Sequence, residues 1–410
     1  MYQQVQIQQT VYGSGENLLI HGSVMKPPRP LRPLMGTAQF VYLDPPFRTG
    51  EQFRRKRVYG EKGWRAGSPA LSLPGYSDQF ADEKTYLRFL KRMIVLSRDM
   101  LREEGIFCLH LDWRMSAQAR VLCDRIFGPE RFLNEIIWAY ESGGRSRKFF
   151  PRKHDTILMF AKGPKYRFDL TRVPLSREQN RKNHMARGVD EQGRSYSSIR
   201  TKGREYRYYD DEPVYPGDVW TDVGFLQQKD PERTGYPTQK PIRLLDRLMR
   251  PTVREGDLVV DLCCGSGTTL AAAEALGCRY AGMDAAEAAV SVSLARLRAE
   301  NLKVIHETAM DGTAARAAYD RAGGRLRLGG LFLQGEIWPE KAKPEDLIEA
   351  WEVGRVEGSC FRTERRYARS FQYPALVDSL RMPEDRMPDL LITDASGVRR
   401  AYRWREEEDR

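Results

Sequence analysis

Short apolar segments alternate with stretches of helical periodicity over the first 300 residues of the chain. Uninterrupted apolar runs predict buried strands that begin at Phe40, Gly105, Asp155, Asp257 and Cys278. Apolar residues spaced three or four positions apart predict helices over 87–101, 114–127, 241–250, 267–276 and 285–299. This alternation is typical of a doubly wound α/β fold, in which a mostly parallel sheet is covered by helices.

The pattern changes after about residue 305. Glycine pairs interrupt the helical periodicity, and shorter apolar pieces follow. The segments LLIT from Leu390 and VRRAYRW from Val398 flank a turn at 394–397, which predicts a hairpin. We therefore expect a small β-containing module over 305–410, in which no motif indicates a role.

Basic residues are concentrated in one part of the chain. Lys and Arg exceed Asp and Glu by 67 to 56, and the segment 141–207 alone holds 18 basic and 7 acidic residues, which equals the whole surplus of +11. Tyrosines and glycines interrupt this segment, a mixture that suits phosphates and unstacked bases. A solvated basic surface is the alternative. The candidate nucleic-acid contacts are Arg145, Arg147, Lys148, Arg152 and Lys153, with a second cluster at Arg54, Arg55, Lys56 and Arg57.

Several classes of protein are excluded by length and composition. The 410 residues correspond to two or three domains of ~150 residues, so no disulfide framework is needed. The six cysteines lack the spacing of a zinc knuckle, and we expect no metal site. No run approaches the ~18 apolar residues of a membrane span, and the first ten residues lack the features of a secretory signal, so we expect a cytoplasmic protein without membrane contact.

A glycine-rich turn follows the predicted strand that ends at Asp261. Gly265-Ser266-Gly267 leads into a helix near Thr268, an arrangement that lets backbone approach a ligand closely. Asp284 ends the next strand, where a carboxylate can accept both hydroxyls of a ribose. These features predict a nucleoside-like cofactor, with a purely structural turn as the alternative. Because Leu270 occupies the place of the third glycine, the dinucleotide fingerprint is incomplete.

The tetrapeptide Asp44-Pro45-Pro46-Phe47 comes directly after the first buried strand, at its carboxyl end. Prolines have no N–H donor and stiffen the chain, so the Asp44 carboxylate and the Pro45 carbonyl become fixed acceptors. Fixed acceptors suit the amino group of a base, and Phe47 could stack on a base flipped out of the duplex. A strand-ending turn is the alternative.

Together, these motifs resemble those of the β-class amino-methyltransferases of DNA. The matching segments are 44–47, HLDWR at 110–114, FLNEIIW at 132–138, KHDTILMF at 153–160, YPTQKP at 236–241 and DLCCGSGTT at 261–269. The order is the specific part, because the tetrapeptide precedes the cofactor glycines, with YPTQKP just upstream of them. The resemblance covers about residues 10–300 and implies a Rossmann-like fold with circularly permuted motifs and an inserted target-recognition region, where the basic segment lies.

The resemblance also implies a cofactor and the residues that bind it. The cofactor is S-adenosyl-L-methionine. Asp261, Gly265 and Gly267 would border its methionine part, Asp284 its ribose, and Thr238 and Lys240 its carboxylate. The full expected set is Ser23, Thr238, Lys240, Asp261, Gly265, Ser266, Gly267, Thr268 and Asp284. Two positions depart from the family pattern: Gly22-Ser23 replaces Gly-Asp, and Cys263-Cys264 stands where many members have a proline and an aromatic residue.

The activity implied is methylation of a flipped base in double-stranded DNA, with Asp44, Pro45, Pro46 and Phe47 at the catalytic site. Adenine N6 is favoured, since members with Asp or Asn before Pro-Pro mostly modify adenine. Cytosine N4 methylation, an inactive DNA-binding specificity or regulatory subunit and an NAD-linked oxidoreductase are the alternatives. Two further partners, a second copy of the chain and a cognate restriction endonuclease, stay open.

Two further interpretations concern domain boundaries and histidines. We expect a catalytic half at 1–139, a target-recognition region at 140–235 whose strand 154–161 returns to the core sheet, a cofactor-binding half at 236–304, and the C-terminal module at 305–410. His110 and Asp112 follow a strand without a second ligand nearby, so they indicate a pocket wall and not a triad or metal site, and the same holds for His154 and Asp155.

Overall fold

The computed structural model describes most of the chain. The described residues are 2–6, 8–25, 29–58, 70–141, 146–176, 185–227, 229–297, 301–307, 315–320, 325–331, 348–368, 379–381, 388–394 and 399–404. Within these ranges only the backbone is described at 2–4, 54–58, 70–76, 307, 315–320, 325–331, 348–349, 379–381, 394 and 404.

Strands dominate the chain, and helices separate them in the middle. The first strands are β1 (Tyr2–Val5), β2 (Gln9–Tyr12), β3 (Asn17–His21), β4 (Ala38–Leu43), β5 (Gln52–Val58), β6 (Ala70–Ser77), β7 (Leu101–Leu111), β8 (Phe132–Ala139), β9 (His154–Ala161), β10 (Ala186–Val189), β11 (Ser195–Thr201), β12 (Arg204–Tyr209) and β13 (Val219–Trp220). The others are β14 (Leu258–Asp261), β15 (Arg279–Asp284), β16 (Leu302–Glu307), β17 (Ala315–Asp320), β18 (Arg325–Leu331), β19 (Ile348–Glu357), β20 (Cys360–Ala368), β21 (Ser379–Arg381), β22 (Asp389–Asp394) and β23 (Arg399–Trp404). The helices are α1 (Glu83–Met100), α2 (Ser116–Phe127), α3 (Ile242–Met249), α4 (Thr268–Ala275) and α5 (Glu287–Arg296).

Six parallel strands form the centre of a 15-stranded sheet, in the order β16-β3-β15-β14-β4-β7. Their side chains are buried on both faces, which explains the continuous apolar runs of the sequence. Beyond β7 the sheet continues through β9 and β8, both with antiparallel pairing, and ends at β13. The expected α/β fold with a mostly parallel central sheet is confirmed.

Helices cover both faces of this sheet. One core lies beneath α1 and α2 and includes Tyr86, Leu90 and Ala119. The opposite core lies beneath α3, α4 and α5 and includes Leu245 and Leu270. Because β4 leads into a helix on one face and β14 into a helix on the other, the chain reverses its winding between these two neighbouring strands. Open α/β sheets bind their ligands at such a reversal.

The described C-terminal strands continue the large sheet. β20 pairs in parallel with β2, and β19, β22 and β23 follow it, with the expected hairpin present as the antiparallel pair β22–β23. The buried Glu352 joins this part to the rest, since it pairs with Arg399, which itself donates a hydrogen bond to Thr10. The expected boundary after residue 304 lies within β16. The division into four parts stays a prediction.

Three smaller sheets complete the described structure. β5 pairs with β6, and β17, β18 and β21 form another sheet. The third consists of β10, β11 and β12, in the expected target-recognition region. Several basic residues of that region are neutralised locally, because Arg187 pairs with Asp210 at 2.7 Å and Arg194 with Asp211 at 2.8 Å. The local surplus of positive charge is therefore smaller than the sequence count indicates.

Candidate active site

A cavity of about 460 Å³ opens where β4 and β14 lie side by side. Its size is in the range of small-molecule sites in proteins. All four residues of the tetrapeptide line it, and so do all the expected cofactor residues except Gly267. Parallel pairing of β4, β14 and β15 brings these residues together, because the carboxyl ends of the three strands share one edge of the sheet.

Asp44 and Lys240 form an ion pair inside this cavity. The Lys240 Nζ lies 2.6 Å from the Asp44 Oδ2, and only 10% and 19% of the two side chains are exposed. The same ammonium lies 5.2 Å from the centroid of the Phe47 ring. Lys240 was expected at the cofactor carboxylate, and that role stays a prediction. The ion pair was not predicted from the sequence, because 196 positions separate its members.

Two buried side chains hold the backbone of the tetrapeptide and its following turn. The Tyr86 hydroxyl, on α1, donates a hydrogen bond of 2.9 Å to the Pro46 carbonyl. Asp78 is 1% exposed and accepts from the backbone N–H groups of Arg48 and Thr49, at 2.7 and 2.9 Å. Burial raises the pKa of Tyr86 far above its usual value, so its hydroxyl keeps its proton and remains a donor. Neither residue was predicted to support the site.

The ring of Phe47 rests on His110, with centroids 6.0 Å apart and planes 25° from parallel. His110 lies between the Tyr42 hydroxyl, at 2.7 Å from its Nδ1, and the Asp155 carboxylate, at 3.1 Å from its Nε2. Burial, with the nearby Asp44 charge, raises the pKa of Tyr42, so Tyr42 donates to Nδ1 and the Nε2–H donates to Asp155. These contacts fix the orientation of Phe47 from behind, whereas His110 and Asp155 are not among the residues that line the cavity, so their interpretation as pocket wall stays a prediction.

The glycine turn after β14 has positive φ angles, which favour glycine. Gly265 and Gly267 have φ angles of +50° and +72°. A Cβ on Gly267 would lie 2.7 Å from the Ser293 Oγ, so any larger residue would displace α5. Asp284 closes the turn by accepting from the backbone N–H groups of Gly265 and Ala286, at 2.9 and 2.8 Å.

Two carboxyl groups lie at the floor of the cavity beside this turn. Asp261 is 2% exposed and accepts from the Cys263 N–H at 3.0 Å, and its burial raises its pKa to about 7. Burial also raises the pKa of Asp284. A buried acid that is reluctant to ionise suits a cationic or hydroxylated ligand, and an S-adenosylmethionine molecule has both an ammonium group and a ribose. The residues present therefore fit this cofactor.

The other expected cofactor residues lie around the rim. The Thr268 Oγ1 donates to the Lys240 carbonyl at 3.0 Å and lies 3.1 Å from the Ser266 Oγ, which ties the segment 236–241 to the glycine turn. Thr238 is exposed and has a φ of +61°, an uncommon conformation for a residue with a side chain. Ser23 is also exposed, and its Oγ accepts from the Met25 N–H.

The candidate DNA contacts are only partly described. Arg145 lies outside the described residues, and Arg54, Arg55, Lys56 and Arg57 lie in β5, where side chains are not described. The described four, which we call the basic residues of the β8–β9 loop, are Arg147, Lys148, Arg152 and Lys153. The first three are exposed, whereas Lys153 is half-buried and its Nζ donates to the Glu141 carbonyl at 2.9 Å.

One buried cluster of the described residues offers a metal-ligand set. His21, Glu287 and His306 place one nitrogen or oxygen atom each within 4.8 Å of one another. Burial and the nearby Arg399 charge lower the pKa of His306 to about 4. A metal ion would add positive charge beside this arginine, so we interpret the cluster as packing between α5 and the sheet.

Comparisons with known proteins relate the chain to DNA methyltransferases. The model of the DNA methylase family matches residues 38–295. The chain is 27% identical over 297 residues to the Type II methyltransferase M.EcaI of Enterobacter cloacae, which covers 60% of this chain and 62% of that protein. It is 22% identical over 290 residues to the DNA adenine methyltransferase YhdJ of Escherichia coli K12, which covers 70% and 85%. A solved structure, the cytosine-N4-specific PvuII DNA methyltransferase, shares 13% identity at a TM-score of 0.43, covering 72% of this chain and 89% of that one.

The chain matches some of these relatives over only part of their length. The chain spans less than two thirds of M.EcaI and 42% of the Type II methyltransferase M.BglII of Bacillus subtilis. No helix among the described residues is long and apolar enough to cross a membrane. The matched family uses S-adenosylmethionine as methyl donor, which confirms the cofactor expected from the sequence. With more than half of its length matched by the family model, the chain belongs to the N6/N4 DNA methylase family.

Proposed function

We propose that this protein transfers a methyl group from S-adenosylmethionine to the N6 amine of an adenine that is flipped out of double-stranded DNA. The observation that carries the proposal is the cavity at the reversal of the sheet, which is lined both by the Asp44 tetrapeptide and by the glycine turn. An NAD-linked oxidoreductase would need the glycine turn alone and would leave the tetrapeptide without a role.

In this proposal the turn formed by 265–267, together with Asp261 and Asp284, would hold the cofactor. When bound, S-adenosylmethionine supplies an electrophilic methyl group. Asp284 already holds the turn through two backbone N–H groups, so the outward lone pairs of its carboxylate would meet the ribose. Asp261 would accept from the ammonium group.

Asp44 would orient the target amine. Its carboxylate and the Pro45 carbonyl accept hydrogen bonds from the two amine hydrogens, which localises the nitrogen lone pair for attack. As positive charge develops on the nitrogen, the Asp44 carboxylate would stabilise it; the C–S bond to the methyl group breaks, S-adenosylhomocysteine is left, and the nitrogen then loses one of its two protons to solvent. The Lys240 ammonium lies 2.6 Å from this carboxylate. The target amine would therefore either share the Asp44 carboxylate with Lys240 or displace the Lys240 ammonium from it.

Phe47 would bind the face of the flipped base. Its ring is held by His110 from one side, at a centroid distance of 6.0 Å, so little conformational entropy is lost when a base stacks on it. Base–aromatic stacking is worth ~1–3 kcal/mol. We expect Phe47 to contribute to capture of the base more than to the chemical step.

Methyl transfer to DNA tests the proposal directly. Wild-type protein, Asp44→Ala and the control Glu51→Gln are incubated with methyl-labelled S-adenosylmethionine and unmethylated genomic DNA, and the nucleosides are then separated by chromatography. We expect label in N6-methyl-2′-deoxyadenosine for the wild type and the control. Asp44→Ala should be slower by at least ~10²–10³, the usual loss when one preorganised contact to the transition state is removed.

Each outcome of this experiment has a clear meaning. Glu51 is exposed in the same loop as the tetrapeptide, so its variant controls for a local change of charge. Label in N4-methylcytosine would replace adenine by cytosine as the substrate. Wild-type activity in Asp44→Ala would show that the tetrapeptide is only a strand-ending turn. The cytoplasmic location, a homodimer and a cognate endonuclease stay predictions.

A further inference from the structure

The loop between β8 and β9 lies at the same edge of the sheet as the cavity. β9 is antiparallel to β7 and β8 is antiparallel to β9, so β8 runs in the same direction as β7 and β4. The end of β8 at Ala139 and the start of β9 at His154 therefore lie at the edge of the sheet that carries Asp44. DNA that presents a base to the cavity has to approach this edge.

The two ends of this loop are held together and are connected to the residues that support Phe47. The Tyr140 N–H donates to the Lys153 carbonyl at 2.9 Å, and the Tyr140 hydroxyl donates to Asp155 at 2.9 Å. Asp155 in turn contacts His110, on which Phe47 rests. The position of the loop is thus coupled to that of the catalytic ring by a short series of contacts.

The described part of the loop exposes two aromatic rings. Phe150 is 95% exposed, the highest value among the large apolar side chains that the structure describes, and Phe149 is 56% exposed. Leaving a phenylalanine in water forgoes ~1.5–3 kcal/mol of burial energy, so such a ring contributes nothing to the stability of the fold. Trp113, which is 42% exposed, shares the Arg152 guanidinium with Phe149, and grouped exposed apolar side chains, unlike single ones, mark interaction sites.

A guanidinium between two rings connects this part of the loop to the end of β7. The Arg152 guanidinium lies 3.6 Å from the centroid of the Trp113 ring and 4.8 Å from that of Phe149. Trp113 lies two residues after the end of β7, at the same edge of the sheet as the tetrapeptide. Arg147, Lys148 and Arg152 are exposed and lie within three residues of Phe150 along the chain, so positive charge accompanies the ring. A DNA duplex fits this combination, because its phosphates carry negative charge on the outside and its stacked bases offer apolar surfaces inside.

We propose that Phe150 enters the base stack of the duplex at the place that the target base leaves, with the Trp113–Arg152–Phe149 stack positioning it. This inference rests on the proposed function and adds the residue that stabilises the flipped state. Flipping a base leaves a gap in the stack, and apolar side chains of DNA-binding proteins fill such gaps. The basic residues of the β8–β9 loop would hold the neighbouring phosphates.

The test compares two DNA substrates. Each contains the sequence that the wild-type protein methylates, once as a normal duplex and once with an abasic site opposite the target base, so that flipping already costs less. We expect Phe150→Ala to lose about 5- to 150-fold in the methylation rate of the normal duplex, the range for one stacked ring. On the abasic duplex it should remain within about 3-fold of the wild type, an expectation that follows from the reduced cost of flipping.

Two further variants control the result. Phe150→Trp should keep most of the wild-type rate on both duplexes because it retains a ring. Val121→Ala removes an apolar side chain that is 51% exposed on α2, outside the basic segment, and should leave both rates unchanged.

The outcomes separate this inference from the proposed function. Equal rates of Phe150→Ala and wild type on the normal duplex would overturn the insertion of Phe150, and so would equal losses on both duplexes, which would indicate a role in binding alone. A wild-type protein that methylates no DNA in either form would instead overturn the proposed function, and the inference with it.

Discussion

Cofactor affinity should depend on pH through Asp261. The buried carboxyl has a pKa of about 7 in the cofactor-free protein, because burial penalises its charged form. A bound ammonium group would stabilise that charged form and return the pKa toward its ordinary value of ~3.9. Binding then releases a proton below pH 7, so affinity rises with pH up to this value and levels off above it.

The magnitude follows from the two pKa values. With a pKa of ~7 in the free protein and ~4 in the complex, affinity should increase about 20-fold between about pH 5.5 and 7.5, which is ~2 kcal/mol. From pH 7.5 to 8.5 it should change by less than about 1.5-fold. Calorimetry with S-adenosylhomocysteine, which retains the ammonium group and is not consumed, measures both intervals. Titrations in buffers of different ionisation enthalpy give the number of protons released.

Asp261→Asn is the matched control, because the amide retains an acceptor for the Cys263 N–H but cannot ionise. It should bind more weakly at pH 7.5 and show a flat profile between pH 5.5 and 7.5. A wild-type profile that is equally flat, with no proton released at pH 6, would refute the assignment of Asp261 to the cationic end of the cofactor. Asp261 would then serve only to hold the turn after β14.

Two further predictions concern the tetrapeptide and the DNA interface. Tyr86→Phe removes the donor to the Pro46 carbonyl without changing shape, and at ~0.5–1.5 kcal/mol for one hydrogen bond it should slow methyl transfer by about 2- to 12-fold, with S-adenosylhomocysteine affinity unchanged in calorimetry. If that affinity falls as well, Tyr86 supports the whole cavity and not the tetrapeptide alone. Replacing the basic residues of the β8–β9 loop by glutamine should flatten the dependence of log affinity for DNA on log salt by up to ~0.9 for each phosphate that the variant no longer neutralises, as measured by fluorescence anisotropy. An unchanged slope would mean that other residues bind the phosphates.

The elements of the central sheet were predictable because they are local. β4, β14 and β15 are apolar runs buried on both faces, and α1 begins after Asp82, whose side chain caps it through the Thr85 N–H. β7 begins at Leu101, four residues earlier than its apolar run indicates, since charged and partly exposed residues follow its first position. The short strand β3 was missed, although all five of its residues are buried.

The residues of the site were identified by a different kind of signal. Asp44, Gly265 and Asp284 each stand at or just after the end of a predicted strand, and parallel strands share their carboxyl edge, so their convergence could be expected. The side chains that hold them could not. Asp78 and Tyr86 occupy ordinary positions in the sequence, and their roles follow only from the distance to a backbone 30 to 40 residues away.

The sequence by itself determined the succession of strands and helices, the placement of the tetrapeptide and glycine turn at strand ends, and the family with its cofactor. These features depend on residues that are close together in the sequence. The spacing of the apolar side chains distinguishes a helix, with a period of about 3.6 residues, from a strand, with a period of about 2. Only the tertiary structure decided that Lys240 pairs with Asp44, that His110 supports Phe47, that acidic residues neutralise part of the basic segment, and that the C-terminal strands extend the central sheet. Such contacts join residues that are far apart in the sequence. The pattern of apolar and polar positions indicates which elements form, but not which individual side chains of distant elements come into contact.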